Sequence, residues 1–393
     1  MYNFDLDMNR EGTYATKFEM MPKGAPKDSL SLWVADMDFL VAPPIQKALE
    51  ERVKHGIFGY TIYRSQDLME AVVNWFSRRY NWQIDPKNIF YSPGVVPAIS
   101  YLIQILTEEG DGIIIQKPVY YPFSMKIKAN KRVLVDSTLI RTQDSYKMDF
   151  EDLENKFKDP KNKGMILCNP HNPVGRVWSK EELGKVAHLA KLYKKWVISD
   201  EIHCDLTKSG LSYTPFMEVA QGIQDQVIVC TAPSKTFNLA GLQLSNIVIH
   251  KKEYQEKWID LVEGKLSLTS PNPLSVVATI AAYNESEDWI EELKVYVDKN
   301  FAYVDAFLKK ELPKAQLVAR QGTYLAWIDL RQYCSEPKIL EKAMQGEKLA
   351  LDEGYIFGRP GAGYERVNLA TPLKNVEECM KRMKRAVEGL GSK

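Results

Sequence analysis

Thr231-Ala-Pro-Ser-Lys-Thr-Phe-Asn238 decides how this chain is read, because Lys235 completes a set begun upstream. The earlier members are Asn169-Pro-His-Asn-Pro-Val-Gly175 and Ser199-Asp-Glu-Ile-His203. Each of the three follows a short apolar run that reads as a buried strand, at residues 165–168, 196–198 and 227–230. Doubly wound sheets bind ligands at the carboxyl ends of their strands. An amide (Asn172), a carboxylate (Asp200) and an amine (Lys235) delivered from successive strand ends are the groups a pyridoxal 5'-phosphate site needs. In such a site the lysine forms a Schiff base, the aspartate keeps the pyridine nitrogen protonated, and the asparagine donates to the phenolic oxygen.

Each residue has a plainer reading. Lys235 alone could be one more solvated lysine, but it stands between a buried strand and Phe237 and Leu239. A lysine amine exchanges imines readily and, once released, can remove a proton. Asp200 directly follows Trp-Val-Ile-Ser, where an unpaired carboxylate is costly to bury. A pyridinium N–H satisfies it; an N-cap or a salt bridge is the alternative. Glu201 points elsewhere and reads as structural, and His203 either approaches the ring or simply packs. Asn172 lies between Pro170 and Pro173, which fix its amide, although Asn-Pro pairs also make ordinary turns. Asn169 and His171 read as scaffolding.

Gly94, Val95 and Val96 precede a helix with Pro97 in its first turn, and such helix N-termini collect phosphate through backbone N–H groups. Ser234, and with less force Thr231, add hydroxyl donors. In Pro118-Val-Tyr-Tyr-Pro122, Tyr120 is the better candidate to stack on a pyridine ring, with core packing as the alternative. Arg366, in Glu-Arg-Val-Asn-Leu-Ala, suits a bidentate grip on an α-carboxylate, and Arg359, in Phe-Gly-Arg-Pro-Gly, competes for that role.

Composition narrows the class. A chain of 393 residues, 45% hydrophobic and 26% charged, is long enough for two lobes and a large core of ordinary soluble type. A net charge of +1 makes no electrostatic case for nucleic acid or an anionic membrane. Residues 1–17 lack the apolar segment of a secretory signal, and no run reaches the length of about 18 apolar residues that a membrane span requires. Five scattered cysteines without a CxxC pair suit free thiols in a reducing cytoplasm, not disulfides or a metal site.

Around the motifs, helix-like and strand-like segments alternate. Helices are expected near residues 68–85, from the Gly94 turn to 106, at 181–193 and at 253–262. Strands are expected at 112–116, 132–135, 165–168, 196–198, 227–230 and 245–249. Beyond about Tyr283 come a long helix (287–310), a strand (322–329), a helix near 337–352, and a closing strand and helix around Val367 and 376–390. This tail reads as a smaller α+β lobe completed by the N-terminal segment.

With these residues in hand, the chain resembles the fold-type I pyridoxal-phosphate enzymes of the class I/II aminotransferase superfamily from end to end. Asn-Pro-x-Asn-Pro-x-Gly at 169–175, Asp200 and Ser234-Lys235 are the general marks. Four further stretches resemble the cystathionine β-lyase-like, carbon–sulfur lyase branch: Leu32-Trp-Val-Ala-Asp-Met-Asp-Phe39, Gly59-Tyr-Thr61, His171-Asn-Pro-Val-Gly-Arg176 and Asp200-Glu-Ile-His203. The resemblance implies an aspartate aminotransferase-like α/β fold. Its large domain (47–285) holds a mostly parallel seven-stranded sheet, and residues 1–46 and 286–393 form the small domain. It implies a homodimer with shared active sites, Tyr60 reaching the cofactor phosphate of the other subunit. Val34 and Ala35, with Tyr120 and Asn172, would line the substrate side, and Arg366 would hold the carboxylate. Two positions depart from the superfamily. Gln243 stands where many members place a phosphate-binding arginine, which shifts weight to Gly94–Val96, Ser234 and Tyr60. His203 stands where aminotransferases place a tyrosine.

The expected reaction is β-elimination from cystathionine, cysteine or another S-substituted cysteine. Lys235 takes the Cα proton, Lys235 or Tyr60 protonates the departing thiolate, and pyruvate and ammonia follow. An aminotransferase acting on an L-amino acid and a 2-oxo acid is the alternative, because it uses the same cofactor residues. A protein that acts only by binding a partner would have no use for Lys235 and Asp200. Tyr14, Trp33, Tyr121 and Tyr324 are candidates to shape the side-chain pocket.

Overall fold

Seven short strands make the central sheet of the computed structural model, which describes residues 2–390. They are β1 (Ile89–Ser92), β2 (Gly112–Ile115), β3 (Val133–Asp136), β4 (Asn162–Cys168), β5 (Trp196–Asp200), β6 (Val227–Thr231) and β7 (Ser245–Ile249). Their order across the sheet is β1-β7-β6-β5-β4-β2-β3, and β7 alone runs against its neighbours. Both faces are buried. Ile113, Ile115, Ile166, Ile198 and Ile228 belong to one apolar cluster, while Ile114, Met165, Leu167, Val197 and Val229 belong to another. Side chains alternate across a strand, so this split is what a sheet covered on both sides requires.

Helices α1 (Pro43–His55), α2 (Gln66–Tyr80), α3 (Val95–Leu106), α4 (Lys180–Tyr193), α5 (Pro233–Thr236) and α6 (Glu287–Glu311) are the ones that matter for the site. Helix α3 contributes Val95, Ile99, Leu102 and Ile103 to one covering layer, and α4 contributes Leu183, Val186 and Ala190 to the other. Ser179 and Glu182 form a reciprocal capping box that starts α4. A second sheet of four strands lies later in the chain: β8 (Gln316–Leu317), β9 (Leu325–Asp329), β10 (Asp352–Glu353) and β11 (Tyr364–Asn368), in the order β8-β9-β11-β10. The N-terminal segment is tied to this region, because Leu30–Ser31 pairs in parallel with Leu349–Ala350. No helix among the described residues is long and apolar enough to cross a membrane.

Three local expectations need correction, and some elements come in addition. Strand β1 and helix α1 were not anticipated. The helix expected over 253–262 is α-helical only for Lys252–Trp258 and continues as a π-helix over Ile259–Lys265. The helix expected to reach 352 stops at Gly346, because Lys348 takes a left-handed conformation (φ 54°) and two short strands follow. The strand expected from 322 begins at Leu325. Gly322 instead lies against the Asn169–Gly175 turn, where a Cβ would stand 2.8 Å from Pro170, so the close approach demands glycine.

Candidate active site

Strands β4, β5 and β6 are adjacent and parallel, with Cys168 opposite Asp200 and Asp200 opposite Cys230. The three sequence motifs therefore leave the same edge of the sheet side by side. A cavity of about 210 Å³ opens there. Its lining includes Lys235, Asp200, Asn172, Tyr120, His203 and Ala35. Gly94, Val95, Val96, Ser234 and Gln243 line the same cavity.

Lys235 sits in the single turn α5, and its Nζ donates to the carbonyl of Ala35 at 2.6 Å. The Tyr324 hydroxyl donates to the same oxygen at 2.8 Å. Burial lowers the lysine to about 8; the charges of Asp36 and Asp200 pull it up, and that of Arg366 pushes it down. An amine so placed is substantially neutral in mildly alkaline solution and available as a nucleophile or a base.

Asp200, at the end of β5, is 4% exposed. The one hydrogen bond to its carboxylate among the described residues comes from Ile202 N at 3.2 Å. Burial raises its carboxyl to about 7, opposed by that N–H and by Lys235. Glu201 behaves as expected of a structural residue: it is fully buried and accepts from Ser199 Oγ at 2.8 Å and Phe216 N at 2.9 Å. His203 is buried, its Nδ1 lacks a partner among the described residues, and its ring meets Tyr324 edge to face with centroids 6.0 Å apart. Burial drives its basicity well down, helped by Lys235 and Arg366, so the imidazole is neutral.

Asn172 is buried, and its Oδ1 accepts from Arg366 Nη1 at 3.0 Å. Arg366, on β11, is 3% exposed, also donates to Trp33 O at 2.8 Å, and pairs with Asp352 across the strands. The Phe357 ring lies 5.0 Å from the guanidinium carbon. Arg359, its rival in the sequence, is exposed in the short turn Arg359–Gly361 and does not line the cavity. Asn169 and His171 are scaffolding: Asn169 Oδ1 accepts from Trp178 N at 3.1 Å, and His171 Nε2 lies 2.9 Å from Pro118 O.

Some expected residues stand apart. Thr231 is buried in the sheet with its hydroxyl on Asn246 O at 3.4 Å and does not reach the cavity. Tyr60 and Tyr14 are fully exposed, at 103% and 96%, away from this chain's own cavity. The Val34 carbonyl accepts from Asn368 Nδ2 at 2.7 Å, while Tyr121 packs edge-on against Phe357.

The sequence reading missed what holds the 33–38 loop. Lys17 is completely buried, with Nζ 2.7 Å from Asp38 Oδ2, and Arg10 bridges Asp36 at 2.7 Å and Asp38 at 2.8 Å. Asn238, three residues past Lys235, donates to Met37 O at 3.0 Å and Phe39 O at 3.1 Å. Both aspartates were visible inside Trp-Val-Ala-Asp-Met-Asp-Phe, but nothing in the sequence pointed to Lys17 or Arg10 as partners.

These groups fit a phosphorylated pyridine aldehyde. Asp200 is a buried carboxylate with no cation among the described residues hydrogen-bonded to it, which is what a pyridinium N–H completes. The α3 N-terminus with Ser234 and Gln243 offers neutral donors for a phosphate.

Comparison with known proteins follows the same line. Residues 27–383 match the family described as aminotransferase class I and II. Cystathionine beta-lyase PatB of Bacillus subtilis is 39% identical over 387 residues, covering 98% of this chain and 100% of that protein. Protein MalY of Escherichia coli is 33% identical over 380 residues, 96% and 97% of the two chains. The crystal structure of cystalysin from Treponema denticola, which contains pyridoxal 5'-phosphate, superposes with a TM-score of 0.94 at 34% identity and covers 99% of this chain and 100% of that one.

Proposed function

The chain belongs to the class I and II aminotransferase family, and from that premise we propose that it is a pyridoxal-phosphate-dependent carbon–sulfur β-lyase. It cleaves cystathionine, cysteine or a related S-substituted cysteine to a thiol or sulfide, pyruvate and ammonia. The observation that carries this reading is full-length similarity to a cystathionine beta-lyase, joined to a cavity lined by Lys235, Asp200 and Asn172, the last hydrogen-bonded to Arg366.

Bound through Lys235, the cofactor supplies the electron sink for the carbanion generated at the substrate's Cα. Arg366, positioned by Asn172 and Trp33 O, holds the substrate α-carboxylate. Asp200 would hold a proton on the pyridine nitrogen, which would give its buried charge a counter-ion. Lys235, its Nζ oriented by the Ala35 carbonyl, would hold the cofactor and serve as the base for the substrate's Cα proton. Tyr120 would pack on the ring, and the α3 N-terminus with Ser234 would hold the phosphate. Ala35 forms the substrate-side wall, with Val34 next to it in the pinned loop.

We read the enzyme as a homodimer with residues 47–285 as the cofactor lobe and 1–46 with 286–393 as the smaller lobe. The exposed apolar run Val53, Ile57, Phe58, Tyr60 and Ile62 supports a subunit interface at the end of α1. Tyr60 of the second subunit then reaches the phosphate and the leaving thiolate. The five free thiols support a cytoplasmic location.

Incubating the cofactor-loaded protein with L-cystathionine, in the absence of any 2-oxo acid, tests the reaction. Continuing pyruvate release is expected, and it is abolished in Lys235→Ala. Turnover that appears only after a 2-oxo acid is added would make the enzyme an aminotransferase.

A further inference from the structure

A guanidinium has five N–H donors, and a carboxylate grips it bidentately across either the Nη1/Nη2 edge or the Nε/Nη2 edge. Each grip uses one hydrogen of Nη2. In Arg366 both are engaged: Nη2 donates to Trp33 O at 2.8 Å and to Asp352 Oδ2. Nη1 serves Asn172 Oδ1 at 3.0 Å, while Nε is buried without a partner among the described residues. An incoming carboxylate finds Nε open, but it cannot bind bidentately until an Nη2 acceptor leaves.

The two acceptors differ in freedom. The Trp33 carbonyl belongs to a pinned main chain. Trp33 Nε1 donates to Lys17 O at 3.2 Å, and Asn368 Nδ2 donates to Val34 O at 2.7 Å and to Asp36 O at 2.5 Å. Asp352 is a side chain whose only ion pair among the described residues is with Arg366. We infer that Asp352 is a resident counter-ion which holds the substrate-carboxylate place on Arg366 and yields it, with uptake of one proton, when an amino acid binds. This rests on the reading of Arg366 as the carboxylate-binding residue.

Charge requires the proton. Once the substrate carboxylate is on Arg366, a second carboxylate, 6% exposed, would face one cation. The titratable groups that act on Asp352 offer no other positive charge: Arg366 and Glu365 from β11, Glu353 from its own strand, and the Tyr120 and Tyr121 hydroxyls from the turn beneath. Asp352 therefore passes from carboxylate to neutral acid, the proton coming from solvent, and no other bond changes. Burial already pushes its carboxyl up despite the arginine, which eases that step.

The test uses cofactor-loaded wild type, Asp352→Asn and Arg366→Gln, with L-alanine as an amino acid that lacks a β leaving group. Its dissociation constant is read from the cofactor absorbance against pH. The ratio of wild-type to D352N dissociation constants is expected to climb about tenfold per pH unit above the wild-type carboxyl's own midpoint, D352N binding the tighter. In the wild type alone, L-alanine is expected to take up one proton more than L-alaninamide, after correction for their amines, so the inference is tested even if D352N does not fold. Parallel pH profiles in wild type and D352N, or equal proton uptake for alanine and its amide, would overturn the exchange. Unchanged affinity in R366Q would overturn the assignment of Arg366 as well; lost affinity in R366Q together with parallel profiles would overturn the exchange alone.

Discussion

Replacing Lys17 by methionine should loosen the wall of the active site from a residue that never touches it. Lys17 is wholly buried, with its amine 2.7 Å from Asp38 and 3.8 Å from Asp36. Two carboxylates are balanced by two cations, Lys17 and Arg10, and methionine keeps the volume while removing one charge. Breaking a buried pair from one side costs about 3–5 kcal/mol. Arg10 stays in place and the Asp36 side chain is 20% exposed, so the expected loss is smaller, about 2–3 kcal/mol. The assay is a double-mutant cycle of Lys17→Met and Asp38→Asn, read from urea unfolding of the cofactor-loaded protein. The double variant should recover about 2 kcal/mol of the sum of the single losses, because it removes both members of the pair. Cofactor affinity should fall in K17M alone, since Ala35, whose carbonyl holds Lys235, adjoins Asp36. A loss below about 1 kcal/mol, or strictly additive losses, would refute the reasoning.

Glu201 is kept protonated to about pH 7 by burial, whereas it ionises near 4.5 when unfolded. Between those values the folded chain holds more protons, so stability is fully present below about 4 and falls as pH rises through 7; Glu201→Gln should flatten that fall, and an unchanged slope in pH-dependent urea unfolding would count against it. Asp36→Asn removes a charge that favours protonated Lys235, so the midpoint for capture of pyridoxal phosphate, near pH 8, should move down when capture rates are followed by absorbance. A higher midpoint would contradict this. Gln243→Arg places a charged donor in the cavity wall, and equilibrium dialysis should show about tenfold tighter cofactor binding, worth about 1.4 kcal/mol.

What was legible in the sequence followed from strand ends. Lys235, Asp200 and Asn172 each come directly after an apolar run, and a run apolar on both faces has little choice but the middle of a covered sheet. Their convergence then follows from adjacency. Arg366 and Arg359 could not be separated in the same way, because only the pairing of β11 with β10 buries the first and leaves the second outside. Asp352 faced the same limit, since its place opposite Arg366 is a cross-strand register that no local pattern encodes. Lys17 was hidden more thoroughly. It lies in a polar segment that reads as surface, and its burial depends on acids about twenty residues away. Strand β1 was missed because Ile-Phe-Tyr-Ser is too short to show a period.

The Ala35 carbonyl, receiving both Lys235 and Tyr324, joins three distant parts of the chain at one atom. A ribosome delivers those parts in order. The loop and the lysine emerge first, while Tyr324, and then Arg366 on β11, come on the order of 100 residues later. At about 5–20 residues per second that is an interval of roughly ten seconds. Throughout it, the large sheet can be complete while one wall of the cavity is still being made. Cofactor capture on the native geometry is therefore an event of the finished chain, and a ribosome stalled between Lys235 and Tyr324 should display a lysine that pyridoxal phosphate can reach but not hold.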